Sequence, residues 1–128
     1  MKKFFYLTVF SLLISLSVNA QLAKTKWAGT MKLPQQDGTF NTVSVEWDFA
    51  KDTLNVQIGG GSPEVFTYKD VKKVLTLVKV SGDSPCPEGA KISILYTIKS
   101  DIFAFSNQTS DCDTYNKVGT EEPLKKVK

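Results

Sequence analysis

Histidine and arginine are both missing from this 128-residue chain, and cysteine occurs only twice. Without histidine, Ser-His-Asp and Cys-His arrangements cannot be assembled, which removes the commonest forms of nucleophilic catalysis. A zinc site would have two sulfurs at most and would need carboxylates to complete it. Without arginine there is no planar fork for bidentate recognition of phosphate or guanine. Long apolar runs are scarce as well. The one substantial stretch, 4–18, is softened by Thr8, Ser11, Ser15 and Ser17, and it falls short of the about 20 residues that a spanning helix needs. Internal repeats, low-complexity tracts and linkers are absent, so the sequence reads as one domain behind a short leader.

The leader has the pattern of an export signal. Lys2 and Lys3 form a basic start, the apolar stretch follows, and Val18-Asn19-Ala20 supplies slim side chains where a signal peptidase reads. The expected signal peptide is 1–20 and the expected mature start is Gln21, giving a secreted or periplasmic protein. No cysteine stands at the cleavage point, so a lipid anchor is not expected. Cleavage removes two lysines and no acids, leaving 14 lysines against 13 Asp and Glu, about +1. The apparent basicity therefore sits mostly in the leader. Nucleic-acid binding loses its electrostatic support with it. In an oxidising compartment, Cys86 and Cys112 are expected to pair as a disulfide; two free thiols or half a metal site are the alternatives.

The remaining 21–128 is rich in short alternating segments. Val43-Ser44-Val45-Glu46-Trp47-Asp48-Phe49 is the plainest, apolar on one face and polar on the other, the period of a half-buried strand. Turn residues divide the domain into about eight strand candidates: 24–33, 40–49, 53–58, 65–69, 72–80, 90–99, 102–105 and 123–127. The segment 72–80 is ambiguous, because Val71, Val74, Leu75 and Val78 are spaced like a helix stripe; its β-branched content and short length favour a strand. Residues 107–118 read as irregular. Sequential strands joined by tight turns predict an all-β, antiparallel up-and-down barrel, with a two-sheet sandwich as the alternative. The disulfide would then staple the loop before the sixth strand to the segment after the seventh.

No constellation names a reaction, and neither catalytic residues, cofactor nor metal is expected. Glu46 and Asp48 share a face, but it is opposite Val45, Trp47 and Phe49, so they are expected to be solvated. Asp111-Cys112-Asp113 reads as a polar turn, since calcium would need several more oxygens. Gly59-Gly60-Gly61 lacks the Gly-Lys-Ser/Thr ending of a phosphate loop and precedes Pro63, which makes it a hairpin loop. Asn107-Gln108-Thr109 is a glycosylation sequon, meaningful only in a host that glycosylates secreted proteins. The aromatics are the most informative set. A barrel of about eight strands is either filled by side chains or holds one small ligand. If it holds one, the contacts are expected from Trp47, Phe49, Phe66, Tyr68, Tyr96 and Phe105, the two phenols supplying a polar end. If the rings simply fill the core, function falls to the loops.

In architecture the domain resembles the small secreted lipocalins, calycin-type barrels: an exported domain, a tryptophan in the first strand, an up-and-down series and one disulfide near the end. The family's first strand carries Gly-x-Trp; here Thr25 stands two residues before Trp27 and the glycine follows at Gly29. The family's late arginine, which covers that tryptophan, has no counterpart, leaving Lys125 or Lys126 as candidates to cover the ring. The resemblance implies an eight-stranded barrel that binds a small apolar molecule in its mouth. The alternative is an exported inhibitor of a lysozyme or protease, or an envelope interaction protein, acting through loops 34–38, 59–63 and 81–89. Neither reading involves nucleic acid or an integral membrane span after cleavage.

Overall fold

The computed structural model describes residues 21–117 and 122–128. The expected signal peptide, 1–20, lies outside the described residues. Eight strands follow one another: β1 (Lys26–Pro34), β2 (Phe40–Phe49), β3 (Thr53–Ile58), β4 (Glu64–Val71), β5 (Val74–Ser81), β6 (Lys91–Lys99), β7 (Ile102–Ser110) and β8 (Leu124–Lys126). One short helix, α1 (Asp113–Lys117), stands between β7 and β8. Each strand pairs antiparallel with the next, and β8 returns to β1 through Trp27↔Lys126 and Ala28↔Lys125 to close a barrel. Closure leaves no continuous free edge, which a sheet of this alternation would otherwise expose.

Inward faces follow the alternation. Trp27, Met31, Val45, Trp47, Phe49, Leu54 and Val56 from the first three strands are all buried. Burial of such side chains contributes about 1.5–3 kcal/mol each, which fixes the register of every stave against a one-residue slip. At Gly29 a Cβ would lie 2.7 Å from Leu124 Cδ2, so glycine lets β8 close onto β1.

Three elements differ from the sequence expectation. First, the stretch expected to be one strand from Lys72 begins with a turn: Lys72 and Lys73 both have positive φ, 52° and 64°. That is the conformation of a two-residue hairpin turn, and Ser100-Asp101 repeats it between β6 and β7. β5 then faces Leu75, Leu77 and Lys79 inward, and of the helix-like valines Val71 is exposed while Val74 and Val78 are half-buried. Second, β4 begins at Glu64 and points Glu64, Phe66, Tyr68 and Asp70 to the interior. Third, β7 continues to Ser110 instead of ending at Phe105. Its register shifts where Tyr96 pairs Phe105 and Leu95 pairs Asn107, leaving Ser106 as a bulge. The chain beyond the bulge is polar, so it carries no apolar alternation to betray the strand.

The two ends of the barrel are unlike. At one, the strands are joined by the brief turns 50–52, 72–73 and 100–101. Leu22, Phe49, Tyr96 and Phe103 fill the interior there and are almost wholly buried. At the other, the connections 35–39, 59–63, 82–90 and 111–123 are longer. Cys86 and Cys112 join the last two of these with a disulfide, as expected. Among the described residues no helix is long and apolar enough to cross a membrane.

Candidate functional site

A small cavity of about 60 Å³ lies inside the loop end of the barrel. Its apolar wall comes from six strands: Met31 and Trp47 from β1 and β2, Val56 and Ile58 from β3, Phe66 from β4, Leu77 from β5, and Ile92 and Ile94 from β6. Glu64 and Gln108 are its polar residues, and Tyr115 of α1 lies over it as a roof. The space accommodates about four waters. It is well below the roughly 300 Å³ at which drug-sized ligand pockets begin.

The roof is held by a polar unit that alternation put inside the barrel. Glu64 and Lys79 are 6% and 4% exposed and form an ion pair at 3.4 Å. Lys79 Nζ also donates to the Cys86 carbonyl at 2.6 Å and to Ser84 Oγ at 3.0 Å, while Glu64 Oε1 accepts the Ser84 backbone N–H at 2.9 Å. Glu64 Oε2 has no hydrogen-bond donor among the described residues, and its attraction to Lys79 is electrostatic. Gly82, at φ 141°, lies so close to this carboxylate that any side chain would strike it. The pair therefore ties the 82–90 loop to the wall.

Tyr115 completes the cover. Its hydroxyl meets Ser84 Oγ at 3.3 Å, its ring centroid lies 5.8 Å from that of Phe66, and its backbone carbonyl accepts from Gln108 Nε2 at 2.9 Å. Burial pushes the Tyr115 phenol above its ordinary pKa; the Ser84 contact opposes the shift and the Glu64 charge adds to it. The helix is moored by Asn116, which exchanges two 2.9 Å hydrogen bonds with the Ser110 backbone.

Of the six aromatic residues expected at a ligand, Trp47 and Phe66 line this cavity. The other four lie in the ring cluster around Phe103. Phe105 packs on Trp47 and Phe103 at 5.1 and 4.8 Å, Tyr96 stacks on Phe103 at 4.8 Å, and Phe49 meets Tyr68 edge-on at 5.0 Å. Tyr68 takes its polar partners from the protein, whereas the buried Tyr96 hydroxyl has no hydrogen-bond partner among the described residues. Tyr68 donates to the Ala50 and Lys51 carbonyls at 2.7 and 3.0 Å, holding the 50–52 turn. Tyr96 is pushed strongly upward in pKa by burial and then by the neighbouring Asp70 carboxylate. The indole N–H of Trp27 donates to Thr25 Oγ1 at 2.9 Å, and its ring meets Phe103 edge-on at 5.4 Å. Lys125 and Lys126 are exposed, with Lys126 opposite Trp27 in the β1–β8 register, and Lys73 lies over the Tyr96 ring.

Met31, Glu64, Gln108 and Tyr115 belong to the site without having been singled out in the sequence. Glu64 was legible, since it keeps phase with Phe66 and Tyr68. Gln108 and Tyr115 lie beyond the bulge, where the alternation gives no signal.

The remaining polar motifs have structural partners. Glu46 and Asp48 are outside the barrel, within 3.6 and 4.0 Å of Lys26 Nζ. Asp111 accepts the Lys91 N–H at 2.9 Å. Asn107 is exposed on β7. Among the described residues no group of three or more His, Cys, Asp or Glu is placed to hold a metal. Family models, curated proteins and solved structures give no match to the chain.

Proposed function

We propose that this is an exported, non-enzymatic binding protein of the lipocalin-like kind, whose barrel mouth takes a small apolar molecule or the apolar tip of a larger one. The observation that carries the reading is the apolar cavity at the loop end, with Trp47 and Phe66 in its wall and Glu64 and Gln108 as its polar groups. Its volume of about 60 Å³ limits the inserted part to a few heavy atoms while Tyr115 is in place. The loops around the mouth carry Asp37, Asp83, Glu88, Asp111 and Asp113, which disfavours a carboxylate headgroup and favours an alcohol or amine. Export is supported by the leader pattern and by the Cys86–Cys112 disulfide.

The two tryptophans provide the test, because Trp47 faces the cavity and Trp27 is packed at the other end. Titration with hexanol is expected to change the fluorescence of the native protein. Trp47→Phe should abolish that change while Trp27 still reports a folded barrel. An unchanged spectrum with hexanol, hexylamine and hexanoate alike would sink the proposal. A second reading, docking of a secreted protein through the loops, is favoured by one observation. Loops 34–38, 59–63 and 81–89 converge on the same end, where Phe40 is 64% exposed. Retained binding of an enzyme target with the cavity filled by Val56→Phe would support it over ligand carriage.

A further inference from the structure

The lysines and carboxylates are sorted by end of the barrel. Lys72 and Lys73 form the β4–β5 turn, Lys51 stands in the β2–β3 turn, and Lys99 abuts the β6–β7 turn. Lys24 precedes β1 at the same end, and Lys125, Lys126 and Lys128 lie on β8 and just after it. All of these are exposed. Few carboxylates answer them: Asp48, Asp52 and Asp101 are exposed there, Asp48 being within 4.0 Å of Lys26 Nζ, and Asp70 is buried beside Tyr96. The mouth has the opposite balance. Asp37, Asp83, Glu88, Asp111, Asp113 and Glu122 are exposed around it, against Lys32, Lys91 and Lys117. The buried Lys79–Glu64 pair cancels itself. A nearly neutral domain is thus a strong dipole, basic at its closed end.

We propose that the closed end docks on an anionic lipid surface, holding the mouth away from it. Lysine ammoniums on flexible stems act as point charges, and without arginine forks they suit a diffuse field of headgroups better than any one phosphate. The end is blunt, because its connections are two or three residues long. Apolar side chains stand among the charges: Val71, next to Lys72, is 53% exposed, and Val127, between Lys126 and Lys128, is 39% exposed. Such residues can sink below the headgroups while the ammoniums remain at their level. The acidic mouth is repelled by the same surface, so attraction and repulsion select one orientation.

Flotation of the exported protein with phospholipid vesicles tests this. It is expected to float with phosphatidylglycerol-containing vesicles, to remain behind with pure phosphatidylcholine, and to be released by salt. The triple variant Lys51→Gln, Lys72→Asn, Lys99→Gln should lose roughly a hundredfold in partitioning, about fivefold for each lysine removed. Asn is chosen at Lys72 because it tolerates the positive φ there. Lys32→Gln, Lys91→Gln, Lys117→Gln removes the same charge from the mouth and should not weaken binding. Equal losses in the two triple variants, with both still folded by circular dichroism, would overturn the proposal. So would absence of vesicle binding, including the case in which the protein is retained only by an acidic polysaccharide.

Discussion

Lys79 is the residue on which the cover of the cavity depends. Its ammonium is buried and touches Glu64, Ser84 and the Cys86 carbonyl. Removing one partner of a buried pair strands the other charge, which commonly costs about 3–5 kcal/mol. Lys79→Met is therefore expected to lower stability to urea by about 3 kcal/mol. Adding Glu64→Gln to it should recover a large part of the loss, because no buried charge then remains. The phenols give a second residue-scale outcome. Burial raises the pKa of Tyr96, of Tyr68 and of Tyr115, so each holds its proton more tightly folded than unfolded. Their contribution to stability is complete below the unfolded value of about 10 and declines as pH rises above it. Alkaline unfolding curves should show this decline, and Tyr96→Phe should make it shallower.

At the scale of elements, the disulfide and α1 fix the connections at the mouth of the barrel. The bond between Cys86 and Cys112 spans 26 residues and joins the 82–90 connection to the 111–123 connection, whose Tyr115 lines the cavity. The chain-entropy model assigns such a crosslink about 3.5 kcal/mol. Cys86→Ser with Cys112→Ser should lower the denaturation free energy by about 3 kcal/mol. On the proposed reading Tyr115 limits how long a ligand can be, since it lines the cavity from the helix beyond β7. Tyr115→Ala is expected to raise affinity for decanol about tenfold while changing that for hexanol little. Equilibrium titration of both alcohols checks this.

The elements also show what a sequence reading can and cannot reach. The boundaries of β2 and β3 and the inward faces of β1, β2 and β6 followed from apolar alternation alone. β7 did not, because its outer half is Asn107 to Ser110 and the Ser106 bulge reverses its phase. The start of β5 was missed because Lys72-Lys73 is an unusual pair for a turn that normally takes Asn-Gly. Trp47, Phe49, Phe66, Tyr68 and Tyr96 are buried in the barrel and Phe105 packs against them, as strand alternation implies. Which end holds space was not legible, since that depends on how Phe49, Tyr68, Tyr96 and Phe103 gather at the closed end.

At the scale of the whole molecule, the barrel has a solid half and a half with room. Aromatic rings and short turns make the first, while aliphatic side chains, longer loops and the disulfide make the second. Methyl-resolved NMR with hexanol distinguishes the halves in one measurement. Methyl shifts should concentrate on Met31, Val56, Ile58, Leu77, Ile92 and Ile94 around the cavity, with Leu22, Leu54 and Leu75 at rest. Shifts that are absent at saturating hexanol, or spread equally over both groups, would contradict a binding cavity at the mouth.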